Sequence, residues 1–74
     1  MMVINVRAVP DGWIVDGGDP APLVFSRGGE AERRAHQLGA QRARVGADAE
    51  VRIHDRTGAL VGRSLYLASE PIPA

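Results

Sequence analysis

Two short segments, Pro10, Asp11, Gly12 and then Asp55, Arg56, Thr57, Gly58, each separate two runs that read as strands, and together they constrain this chain more than any other feature. In the first segment proline presets one turn angle, aspartate suits the next position, and glycine takes the left-handed conformation that closes a short hairpin. From Val3 to Val9, Ile4, Val6 and Ala8 alternate with Asn5 and Arg7, which is the two-residue period of a strand with one face on a core. Trp13, Ile14 and Val15 return as the second strand. At the other hairpin Val51 and Ile53 point inward between Glu50, Arg52 and His54, and Ala59 to about Tyr66 forms the returning strand.

Between the hairpins, Asp16 to Pro22 is too rich in glycine and proline for a regular element and leads into a short strand, Leu23 to Phe25. Ser26 is placed as a helix N-cap, and Glu30 and Glu32 lie near the positive end of the helix dipole. The helix is expected to run to about Val45, with Gly46 as its stop. Ala31, Ala35, Leu38 and Val45 form one stripe at helical spacing, with Arg33, His36, Gln37, Ala40 and Arg44 on the opposite, solvated side. The stripe is mostly alanine, so the branched and aromatic residues of the strands have to supply most of the core. The predicted fold class is α+β, in two layers and in the order β-β-β-α-β-β, with a mainly antiparallel sheet and one helix on one face. Residues 1–66 form the single domain. Residues 67–74 read as a loose tail, because Pro71 and Pro73 cannot join a regular element.

Pro10, Asp11, Gly12, Trp13 and Val15, then Glu30 and Ala31, then Ile53, His54, Thr57 and Gly58 carry a family resemblance. The chain resembles a family of small bacterial proteins of unknown function whose pattern runs V-x-P, D-G-G-W-x-V, x-E-A, I-H-G and D-G-R-I, ending near a tyrosine such as Tyr66. The likeness spans roughly Val6 to Tyr66. The chain departs from the pattern at Asp55, where the family tends to glycine, at Arg52, where it tends to an apolar residue, and in its Gly17 to Pro22 loop. What the resemblance implies is a fold, with no activity or catalytic residue to carry over.

At 74 residues, a globule hides only about 60% of the surface of its unfolded chain. There is no cysteine to compensate with a disulfide or a thiolate-bound metal. Nine basic residues, every one an arginine, balance nine acidic ones, so no net field draws the protein to nucleic acid or to an anionic membrane. No apolar run reaches the length of a membrane span, and Met1 to Arg7 lacks the order of a signal peptide, which makes the cytoplasm the expected compartment.

His54 and Asp55 are consecutive strand residues that point to opposite faces, which excludes a base and its orienter. Asp11, Asp16 and Asp19 occupy turns with no companion ligands at metal spacing. Neither histidine is placed by local spacing beside Ser26, Ser64 or Ser69. No enzyme activity, catalytic residue, metal or cofactor is therefore expected. Ser26, Arg27, Gly28 and Gly29 lie between a strand and a helix, where amides and the arginine offer an anion contact, although the spacing matches no phosphate-binding motif.

Alternation places Val3, Arg7, Ile14, Arg52, His54, Val61, Arg63 and Leu65 on the sheet face away from the helix. That mixture is too apolar for a face left wholly in water. A binding or assembly module is the leading expectation, with Val3, Ile14, Val61 and Leu65 as interface and a second copy or another protein as partner. The alternative is nucleic-acid binding through Arg7, Arg27, Arg52 and Arg63, against which stand the balanced charge and the lone tryptophan.

Overall fold

The computed structural model describes residues 1–17 and 22–68. The interior of the expected Gly17–Pro22 loop, including Asp19, and the part of the expected tail from Ser69 onward lie outside the described residues. Five strands and one helix follow in the order β1 (Met2–Val9), β2 (Gly12–Asp16), β3 (Leu23–Phe25), α1 (Gly28–Arg44), β4 (Ala49–His54) and β5 (Leu60–Tyr66). They build the two-layer α+β arrangement, one sheet with the helix against one face.

The strand order is β3-β2-β1-β4-β5, so the two hairpins lie side by side and β1 meets β4 at the centre. Those two strands run parallel, with Ile4 beside Val51, while the other three pairings are antiparallel. A parallel pair needs a crossover, and the segment carrying β3 and α1 supplies it. Alternation then sends Ile4, Val6, Val15, Ala49 and Val51 to the helix side, where all are at most 2% exposed. Met2, Trp13, Leu23, Phe25, Ile53 and Tyr66 pack around them half-buried, so the branched residues form the centre of the core and the aromatics its margin.

The helix meets the sheet with its smallest residues. Ala31, Ala35 and Gly39 are buried with Leu38. A Cβ at Gly39 would come within 2.7 Å of the Tyr66 ring, and one at Gly28 within 3.0 Å of Trp13. These close approaches let a thin layer bury its apolar strands, and they explain Gly28, which local propensity alone disfavours in a helix.

Several local expectations are corrected by packing. The N-cap is Arg27 rather than Ser26, and no side chain caps the helix; the first helical residue is the glycine that fits beneath Trp13. Val45 is the C-cap residue and 75% exposed, beyond the buried stripe. Gly46 has φ +88, with its amide bonded to the Ala43 carbonyl and that of Ala47 to the Arg42 carbonyl, the two-bond glycine stop that leaves no loose last turn. His36 is half-buried and not simply solvated, since its Nδ1 lies 2.6 Å from the Tyr66 hydroxyl. Gly12 is extended, with φ 158; it is needed because any Cβ there would strike the Phe25 carbonyl oxygen of β3. Gly58, with φ +87, does adopt the left-handed turn conformation. The Ala68 amide donates to Asp48 Oδ1 at 2.8 Å.

Candidate functional site

On the sheet face opposite the helix the register sets the candidate residues in rows. Val24, Ile14 and Arg7 lie abreast on β3, β2 and β1. Asp16, Asn5, Arg52 and Arg63 cross four strands, and Val3, Glu50 and Leu65 cross three. Period-two alternation therefore does bring Val3, Arg7, Ile14, Arg52, Arg63 and Leu65 to one face. Val61 is the extra residue of a β-bulge, because pairing jumps from Ile53 with Gly62 to His54 with Leu60.

Exposure on this face is uneven. Val3 and Ile14, near its middle, are half-buried by their neighbours. Val24, Val61 and Leu65 keep more than half of their surface in water. Seven large apolar side chains are exposed among the described residues, and four of them, Leu60, Val61, Leu65 and Leu67, follow one another along or just after β5.

The arginines of the face are held by acids of the same face. Arg7 binds Asp16 through Nη2 and through Nε at 3.1 Å, and Asp16 also accepts from Asn5 Nδ2 at 3.3 Å. Glu50 receives Arg52 Nε, and Arg63 donates to it from Nη2 at 3.0 Å and from Nε at 3.3 Å. Glu50 is only 4% exposed, on a face that no helix or strand among the described residues overlies. Arg63, then Arg52, lowers the Glu50 carboxyl from its ordinary 4.5 to about 2, and Glu50 in turn raises the Arg63 guanidinium. Sequence reading missed this cluster. Glu50 and Arg52 share a face by spacing alone, but only the β4–β5 register brings Arg63 to the same carboxylate.

At one end of the face a cavity of about 280 Å³ opens between the end of β1 and the β4–β5 turn, lined by Arg7, Ala8, His54, Asp55, Arg56, Thr57 and Gly58. His54 Nδ1 lies 3.1 Å from the Val6 carbonyl oxygen and must donate to it, which leaves Nε2 as the free ring nitrogen. Asp55 makes no bond to His54. Its Oδ1 accepts from the Thr57 amide at 2.8 Å, the Thr57 hydroxyl at 2.6 Å and the Ala59 amide at 3.0 Å. These bonds, the hydroxyl first, hold its carboxyl below the usual range. The guanidinium of Arg56 lies 5.3 Å over the Trp13 ring and has no carboxylate within ion-pair distance among the described residues. Arg27, the remaining candidate anion contact, is exposed at the helix start, likewise outside any ion pair among those residues. Sequence reading put Arg56 in the turn but not over Trp13, and did not place this cavity, since both depend on how the hairpin folds back beside β1.

Among the described residues no three His, Asp or Glu side chains gather as a metal site, and no helix is long and apolar enough to cross a membrane. No protein-family model, no curated protein and no solved structure matches the chain.

Proposed function

We propose that this chain is a non-catalytic assembly module that pairs with a second copy of itself along β5 and the adjoining part of the open sheet face. The observation that carries this reading is the concentration of exposed Leu60, Val61, Leu65 and Leu67 along the longer of the two sheet edges. An edge strand offers a row of unpaired backbone groups, and at seven residues β5 is long enough to template a partner, whereas β3 has only three.

A like copy suits the charges. Asp16 and Glu50 neutralise all but one of Arg7, Arg52 and Arg63, so the face neither repels a copy strongly nor selects an oppositely charged partner. A two-fold axis through Ser64, with the two β5 strands antiparallel, sets Arg63 of one copy opposite Leu65 of the other and Val61 opposite Leu67. That register keeps the two Arg63 side chains apart and lets the exposed aliphatics cover each other. The same internal pairing weighs against nucleic-acid binding, because phosphate would have to displace carboxylates already in place.

The test is light scattering behind a sizing column, with absorbance read at two wavelengths. The expected result is a dimer free of nucleic acid, with Leu65→Asp and Val61→Asp eluting as monomers of unchanged circular dichroism. A monomeric wild-type protein at high concentration, or dimers that persist in both variants, would overturn the reading. Protein carrying nucleic acid would replace it with the arginine alternative.

A further inference from the structure

We infer that the outward face of α1 is a docking surface for an acidic polypeptide segment, whose carboxylates pair with Arg33, Arg34 and Arg44. This surface lies on the helix layer, away from the open sheet face, and does not depend on pairing along β5. On the sheet, Arg7, Arg52 and Arg63 each meet a carboxylate of their own face. On α1, Arg33, Arg34, Arg42 and Arg44 are in no ion pair among the described residues. From Arg33 to Ala47 the chain carries no aspartate or glutamate. At about 100° per residue, Arg33, Gln37, Gln41 and Arg44 fall within roughly 80° of the helix circumference and over about 16 Å of its length. All four are exposed. Arg34 flanks them and donates to the Gln37 Oε1 at 3.4 Å, a contact that occupies one of the five N–H groups of a guanidinium. Every long side chain of the stripe therefore carries N–H donors, and none is a carboxylate.

Ordinary helix chemistry does not account for this arrangement. Basic side chains favour the negative end of a helix, which covers Arg42 and Arg44 in the last turn. Arg33 and Arg34 stand in the second turn, where no such benefit acts. Glu30 is the one acid at helical ion-pair spacing from both, and it pairs with neither. A guanidinium suits a carboxylate because its planar fork donates two parallel bonds. The extent of the stripe selects a short acidic segment over nucleic acid. Glu30 and Glu32 precede it and Asp48 follows the helix, so the positive face is bounded at both ends. A duplex continues past those ends with one charge about every 1.7 Å of its axis. It would meet the flanking acids and gain no long-range attraction from a chain of zero net charge. A polypeptide presenting glutamates over about three helical turns fits between them.

The probe is a labelled polyglutamate of about twelve residues, enough to match those turns, with binding to the full chain followed by fluorescence anisotropy. The expected result is saturable binding at about 20 mM salt that weakens at least about tenfold at about 200 mM. Arg33→Gln combined with Arg44→Gln, folded by circular dichroism, should weaken it at least about tenfold, as loss of two charge-assisted pairs does. Arg27→Gln combined with Arg56→Gln is the control. It removes the same charge from arginines off the stripe that are likewise outside any ion pair among the described residues, and should weaken binding no more than about threefold. Equal losses in the two double variants, or no saturation at low salt, would overturn the assignment. An oligothymidylate of the same length then offers phosphates in place of carboxylates. Weaker binding of the oligonucleotide than of polyglutamate upholds the acidic segment as partner, and tighter binding overturns it in favour of nucleic acid.

Discussion

On the helix side of the sheet Ile4, Val6 and Val51 lose all contact with water, whereas on the other side Val24, Val61 and Leu65 keep more than half of their surface exposed. The residue types are nearly the same, so apolar character does not separate the two faces. What separates them is a cover. Ala31, Ala35 and Gly39 bring the helix down onto one face, while the other is kept in order by carboxylates that two or more polar side chains clasp. Glu50 is nearly as buried as the core valines, yet it lies on the outer face, paired with Arg52 and Arg63, and not under the helix.

The strongest way to break this comparison is to truncate one branched aliphatic on each face to alanine. Ile4→Ala should destabilise by about 2–5 kcal/mol in urea unfolding, because a buried aliphatic leaves a cavity behind. Val61→Ala should stay within about 0.5 kcal/mol at concentrations where the chain is monomeric. Equal losses would mean that the outer face is covered in the isolated chain.

A smaller effect tests the cover itself. Gly39→Ala pushes a methyl against the Tyr66 ring and should cost about 1–3 kcal/mol, as overpacking does. Gly29, where a Cβ meets nothing within 4 Å, is the control; Gly29→Ala should leave stability unchanged or raise it by up to about 1 kcal/mol. If the two substitutions behave alike, helix propensity and not closeness to the sheet governs this helix.

The outer face is sharpened by pH. The Glu50 carboxyl is lowered from 4.5 to about 2 when folded, so between those values the unfolded chain binds more protons. Its arginine pairing therefore stabilises fully above 4.5 and is lost as pH falls towards 2. Urea midpoints of wild type and Glu50→Gln should differ by a constant amount near neutrality and converge across that acid window. A gap that ignores pH would show that Glu50 matters through shape alone.

Much of the architecture was legible beforehand, and each part that was legible is a local property. The presence of a hairpin after Val9, the strand from Glu50 to His54 and the glycine stop at Gly46 follow from turn residues and alternation, although Gly12 serves a close approach to the Phe25 carbonyl and not a left-handed turn. Ser26, Val45 and His36 were misplaced because their surroundings come from elsewhere in the chain. Trp13 fixes where the helix starts, and Tyr66, thirty residues away, reaches the His36 ring. The candidate site divides in the same way. Alternation predicted which side chains share the outer face, but it showed neither that Val3 and Ile14 are half-buried nor that the exposed aliphatics gather along β5.

Period, turn residues and the absence of cysteine determined, from sequence alone, an α+β chain with two hairpins about a helix, because those signals act over a few neighbouring residues. Tertiary structure alone decided that β1 runs parallel to β4, that Glu50 meets Arg63, and that Arg7, His54 and Arg56 surround one cavity. Each of these joins residues far apart along the chain, and only the strand order and register, set by burying the apolar face beneath the helix, bring them together.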